Sequence, residues 1–155
     1  MRAYFFTNFY LNTISQGIQP AHCIVDMLMW YNREVPTDSA TVVLNQWATD
    51  HKTMICLNGG MLADIEEKYQ MLAELGNMLG LPYGHFCEEP AALGGQMTTC
   101  GIIVPECIYA TAAKRWFDND TKFTDTDGTV VELASVLNQN EIRLAALIRS
   151  CPLAR

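Results

Sequence analysis

Apolar residues along this chain form short continuous runs that alternate with stretches of three- and four-residue periodicity. Ala3-Tyr4-Phe5-Phe6-Thr7 is a short aromatic run and predicts a buried strand. Asn8 to Gly17 is polar and glycine-bearing, which predicts a loop. From Gln19 to Arg33 the spacing of Ala21, Ile24, Val25, Leu28 and Met29 predicts a helix. Proline is tolerated in a first turn and not in a helix interior, so Pro20 marks the start, and His22 then falls in the first turn. Val35 to Ser39 is a break, and Ala40 to Ala48 reads as a short helix or an irregular segment around Trp47. Lys52 to Leu57 predicts a second strand and Asn58-Gly59-Gly60 a turn. Met61 to Leu79 is the most regular helix, with Leu62, Ile65, Tyr69, Leu72, Leu75 and Met78 on one stripe and Gly80-Leu81-Pro82 at its end. Tyr83 to Cys87 predicts a third strand, Glu88 to Gln96 a loop, and Thr98 to Val104 a fourth strand closed by Pro105. Glu106 to Phe117 looks helical and Asp118 to Gly128 is an acidic loop. Thr129 to Ser150 predicts one or two amphipathic helices broken near Asn138-Gln139-Asn140.

Strands alternating with helices define an α/β protein whose sheet, mixed or mostly parallel, is covered on both faces. The near-continuous apolar character of the strands fits burial on two sides. A length of 155 residues suits one domain, and neither repeat nor linker divides it. Half of the residues are hydrophobic and 17% are charged, which excludes intrinsic disorder. Runs such as Cys23 to Val25 and Gly101 to Val104 are far shorter than the ~20 residues of a spanning helix, so no membrane association is expected. No basic segment followed by an apolar core opens the chain, so no secretory leader is expected either. Ten Lys and Arg oppose seventeen Asp and Glu, a net charge of −7. Such a surface repels polyanions, which argues against DNA and long RNA as partners. The one tight basic cluster is Lys114-Arg115, followed by Trp116. Six cysteines without a CxxC pair read as free thiols in a reducing cytoplasm, not as a disulfide framework or a zinc site.

Four places could carry chemistry. Gln19, His22 and Asp26 are spaced by three and four and share a helix face. A carboxylate one turn from a histidine can orient the imidazole as a general base, and a helix N-terminus favours an anion such as phosphate. The alternative is a solvated polar stripe. The segment from Glu88 and Glu89 through Gly94-Gly95 to Thr98 and Thr99 offers acids and hydroxyls at a strand end, or else is an ordinary surface loop. Asn58-Gly59-Gly60 permits close backbone approach but matches no phosphate-binding fingerprint. The acidic loop from Asp118 to Asp127 does not fit an EF-hand frame. His51 and His85 stand alone, no spacing argues for a metal, and no cofactor is implied.

Three segments, taken in order, resemble the type-two peptidyl-tRNA hydrolase superfamily. Gly17-Ile18-Gln19-Pro20-Ala21-His22-Cys23 is similar to that family's G-K-x-A-A-Q-C segment at the start of its first helix. Leu75-Gly76-Asn77-Met78-Leu79-Gly80-Leu81-Pro82 resembles the end of its second helix, and Thr99-Cys100-Gly101-Ile102-Ile103-Val104-Pro105 its threonine-led fourth strand. The resemblance covers residues 3 to 118, with an insertion around 33–50, and leaves 119–155 as a C-terminal helical extension packed on the same domain. It implies a three-layer α/β/α fold with a four-stranded mixed sheet, to which the extra C-terminal helices are an addition, and hydrolysis of the ester joining a peptide to tRNA. The family's lysine falls on Ile18, its glutamine on His22 and its histidine on Val25, while the threonine is kept as Thr98 or Thr99.

Together these readings place a ligand rim between the start of the first long helix and the start of the fourth strand. Its expected catalytic residues are His22, Asp26 and Thr99, and its ligand-binding residues Asn8, Gln19, Glu88, Glu89 and Thr98. The expected ligand is a nucleotide-type small molecule, held by sequestration or cleaved with His22 as base, in preference to whole tRNA. Two other readings stand beside it: a peptidyl-tRNA ester hydrolase, and a non-enzymatic domain whose three tryptophans, eight methionines and C-terminal helices form a homo-oligomer interface.

Overall fold

The computed structural model describes residues 1–113, 122–124, 130–132 and 137–154. Four strands form one sheet: β1 (Arg2–Asn8), β2 (Met54–Gly60), β3 (Tyr83–Cys87) and β4 (Met97–Val104). Their order is β2-β1-β4-β3. β1 runs parallel to β2 and antiparallel to β4, and β4 is antiparallel to β3, so the sheet is mixed. Helix α1 (Thr13–Glu34) and α2 (Ser39–Gln46), followed by a π-helical turn (Trp47–His51), cover one face. Helices α3 (Leu62–Leu79), α5 (Glu106–Ala113) and α6 (Gln139–Ser150) cover the other, and the single turn α4 (Pro90–Leu93) lies between β3 and β4. The protein is therefore a three-layer α/β/α domain with a mixed four-stranded sheet.

β1 shows why its apolar run is unbroken. Successive side chains point to opposite faces of a strand. Ala3 and Phe5 enter a core with Cys23, Met27, Tyr31, Leu44, Trp47 and Ile103. Tyr4 and Phe6 enter the other with Leu57, Ile65, Leu72, Ile102, Ile108 and Leu144. Both faces demand apolar side chains, so no polar alternation survives. Two glycines face each other in register, Gly84 on β3 and Gly101 on β4. A Cβ on Gly101 would sit 2.3 Å from the Phe5 ring, and one on Gly84 2.4 Å from Cγ of Met27. The bare backbone there is what admits Phe5 and α1 to the sheet.

Several sequence expectations are corrected. α1 begins at Thr13, not near Pro20: the Asn12 side chain caps it by accepting from the Ser15 N–H at 2.9 Å. Pro20 thus lies inside the helix, and the segment expected to be a loop is mostly helical. α1 also buries its expected apolar stripe only in part: Ile24 is buried and Leu28 packs on the core, but the rest turns outward. Its buried residues include Gln16, Gln19, Cys23, Ile24, Met27 and Tyr31, while Val25 and Met29 are exposed. Finally, of the segment expected to be helical from Thr129, the described residues 130–132 are not helical. Val130–Glu132 forms strand β6, paired with β5 (Lys122–Thr124) inside the region expected to be a loop. α6 starts only at Gln139, where Asn138 and Glu141 form a reciprocal cap. β-branched Val130 and Val131 favour the strand. In α3, Met78 is exposed at 61% although its spacing placed it on the core stripe. Asn58-Gly59-Gly60 is the end of β2, not a free turn, with Gly60 at φ +88°. The basic cluster at Lys114, Arg115 and Trp116 lies outside the described residues.

The C-terminal part joins the same core: Leu144, Ala145, Leu147 and Ile148 of α6 pack with Tyr4 and Phe6. Among the described residues no helix is long and apolar enough to cross a membrane.

Candidate functional site

The residues expected to form a rim divide into a locked set and an open set. Gln19 is buried and held at both ends of its amide. Its Nε2 donates to Oε1 of Glu88 at 2.5 Å, and its Oε1 accepts from the Thr98 hydroxyl at 3.3 Å. Thr98 is the residue skipped where the β3–β4 register shifts, which turns it toward α1. These three side chains tie α1 to the connection between β3 and β4, and that connection closes through the Glu88 N–H donating to the Gln96 carbonyl. Thr99 is fully buried, and its hydroxyl donates to the Phe6 carbonyl at 3.2 Å. Asn8 accepts from the Tyr10 N–H at 2.9 Å and so shapes the turn after β1. Glu89 is exposed at the N-cap of α4 without a side-chain hydrogen bond to that helix.

His22 and Asp26 belong to the open set. With the helix starting at Thr13, His22 lies in the third turn, far from the amino end and its unpaired N–H groups. Its imidazole is exposed and stacks on Phe86, centroids 4.8 Å apart and planes 19° from parallel. Among the described residues no hydrogen bond joins His22 to Asp26. Asp26 instead faces a cleft that the sequence reading missed.

That cleft has a volume of about 570 Å³, within the range of small-molecule sites. It straddles the free edge of β3. From α1 come Asp26, Trp30 and Tyr31; from the strand Tyr83, His85 and Cys87; from α3 Tyr69. The alternation of a strand places Tyr83, His85 and Cys87 on the α3 side and Gly84 and Phe86 on the α1 side, so the edge itself forms the cleft floor. The His85 ring lies 4.3 Å from that of Tyr69, and the Tyr69 and Tyr83 rings are 6.2 Å apart. Trp30 meets Tyr31 edge-on at 4.8 Å and is half exposed.

Backbone pairing continues the picture. The Ile103 N–H donates to the Pro82 carbonyl at 3.0 Å, which makes residues 82, 84 and 86 the bonded positions toward β4. Tyr83 and His85 therefore turn their N–H and C=O groups outward. At Tyr83 both are met by one hydroxyl: the N–H donates to the Tyr31 oxygen at 3.2 Å, and the Tyr31 O–H donates to the Tyr83 carbonyl at 3.4 Å. The outward pair of His85 faces the cleft.

The electrostatics are simple. Burial lowers the His85 pKa below its ordinary 6.5, with the Asp26 carboxylate working against that shift. The imidazole is therefore neutral at pH 7. Burial raises Tyr69 and Tyr31, keeping both phenols protonated as donors. Among the described residues Asp26 is the one charged group lining the cleft. Among the described residues no set of three His, Cys, Asp or Glu is placed to hold a metal ion. All six cysteines are free, and burial pushes the Cys100 thiol up to about 12.

His85 was legible only as an isolated histidine. The cleft takes residues from positions 26–31, 69 and 83–87, and no local spacing joins them; the one available signal was the density of aromatic residues around an expected strand. Compared with known proteins, the sequence matches no family model and no curated protein.

Proposed function

We propose that this chain binds a nucleotide-type small molecule, with the planar base in the aromatic cleft at the edge of β3. The observation that carries this reading is the cleft wall itself: Trp30, Tyr31, Tyr69, Tyr83 and His85 surround a space of about 570 Å³. Stacking on aromatic side chains contributes about 1–3 kcal/mol per base and tolerates any base identity. Asp26 disfavours phosphate inside the cleft, so the phosphates project past its mouth along α1, toward His22. The reading is one of binding without turnover. Thr99 is enclosed and committed to the Phe6 carbonyl, and His22 is engaged by stacking on Phe86. The strand and helix order, with the three segments described above, supports placing the chain as a divergent member of the type-two peptidyl-tRNA hydrolase superfamily. The free cysteines support a reducing, cytoplasmic setting.

The test is a binding screen of mono-, di- and cyclic nucleotides, read by quenching of tryptophan fluorescence and by mass spectrometry of the recovered ligand. Trp30→Ala is expected to weaken binding about tenfold or more. Bound ligand should slow alkylation of Cys87, which lines the cleft, and leave the exposed Cys107 unaffected. Failure of every nucleotide to bind sinks the proposal. Recovery of a cleaved product replaces sequestration by hydrolysis, and release of the peptide from peptidyl-tRNA would favour the esterase reading.

A further inference from the structure

α1 is apolar on two sides, and the sheet uses only one. Ile14, Ile18, Ala21, Val25, Leu28 and Asn32 recur at alternating steps of four and three, which are the inward positions of a heptad. At about 100° per residue this line lies opposite the buried residues Gln19, Cys23 and Met27. Ile14 is 75% exposed, Val25 57% and the adjacent Met29 66%. Among the described residues the line is open from Ile14 to Val25: α3, α5 and α6 are on the far face of the sheet, and only beyond Val25 is the line met, where Leu28 packs on the α1-side core and Asn32 exchanges amide hydrogen bonds with Asn45 of α2. Gly17 adds a second observation. It sits inside the helix, where glycine weakens the fold, and apart from its own stretch of helix no atom of the described residues lies within 4 Å of where its Cβ would be. No contact among the described residues calls for a glycine there. Close approach of another backbone does.

We propose that this face is a homodimer interface, with α1 of one copy lying along α1 of the second. A second copy fits better than a foreign partner because the line is uncharged and self-similar, so one surface can serve both sides of a two-fold contact. β-branched Ile18 and Val25 fall at the heptad positions where such residues favour pairs over larger bundles. The line exposes on the order of 500 Å² of apolar surface, already a large patch for a monomer. With flanking Gly17, His22 and Met29, the open stretch of helix, about 25 Å long, supplies the centre of an interface that in a stable pair buries ~800 Å² per partner.

Sedimentation or light scattering of the full chain at about 100 μM should give twice the 17.4 kDa chain mass, falling on dilution. Ile18→Lys with Val25→Lys should weaken association by about a hundredfold, with helical circular dichroism and melting temperature retained, since both side chains are substantially exposed. Val42→Lys, on exposed α2 and off the line, should leave the dimer intact. If the double variant fails to fold, Met29→Lys beside the line is the second probe, with a smaller weakening expected. A wild-type chain that stays monomeric, or a folded double variant that dimerises as well as wild type, overturns the proposal.

Discussion

The two edges of the sheet end differently. At the β2 edge the chain covers itself: Leu153 lies antiparallel to Leu57, the Asn58 N–H donates to the Pro152 carbonyl at 2.8 Å, and the Ala154 N–H donates to the Cys56 carbonyl at 3.0 Å. At the β3 edge no strand is added among the described residues. One tyrosine hydroxyl occupies the outward pair of Tyr83, and aromatic side chains wall the rest. An exposed edge is a template for unwanted pairing, and proteins blunt it by covering or by interrupting it. Here one edge is covered with backbone and the other is left as a cleft. An open edge kept between aromatic walls is what a ligand site needs and what a purely structural edge avoids.

The largest test of that contrast removes the cover. Truncation after Cys151 deletes both backbone hydrogen bonds to β2, and loss of about 2–3 kcal/mol of stability is expected, with concentration-dependent association through the bared edge. Denaturant unfolding and light scattering measure the two effects, and an unchanged midpoint would mean that the C-terminal segment is not a structural cover. A smaller effect is expected at the other edge. Tyr31→Phe removes the hydroxyl shared by the Tyr83 N–H and C=O and should cost about 1 kcal/mol, because water can reach this half-buried edge and replace it. A cost as large as that of the truncation would erase the distinction between the edges.

The smallest effect concerns protons. The folded pKa of His85 lies below 6.5, so between that value and 6.5 the unfolded chain binds more protons than the folded one. Its contribution to stability is full above about pH 6.5, declines as the pH falls below it, and levels off once the folded-state pKa is passed. His85→Gln should flatten this slope in thermal melts taken across that window. A slope identical in the variant would assign the pH dependence to other groups.

Much of the architecture was legible in short stretches. The strands around Phe5, Ile55, Phe86 and Ile102 and the helix from Leu62 to Leu79 announce themselves, because both-sided burial requires unbroken apolar runs and one-sided burial requires a helical period. The start of α1 was not, since Pro20 is the louder signal while the Asn12 cap is a single side chain. The expected rim was half legible. Gln19, Glu88 and Thr98 do come together, but they satisfy one another instead of facing a ligand. The cleft was illegible because Trp30, Tyr69 and His85 meet only when three elements converge on one strand edge.

The amino-acid order by itself determined the four strands of the main sheet and the helix between Leu62 and Leu79, that the sheet is buried on both faces, and that the chain carries excess negative charge, for these follow from local geometry and composition. Only the tertiary structure decided which of two apolar faces of α1 meets the sheet and which edge of that sheet stays open. Periodicity records that a face is apolar. The face that is buried is the one for which the rest of the chain supplies a complementary surface, and that match is made between residues far apart in sequence.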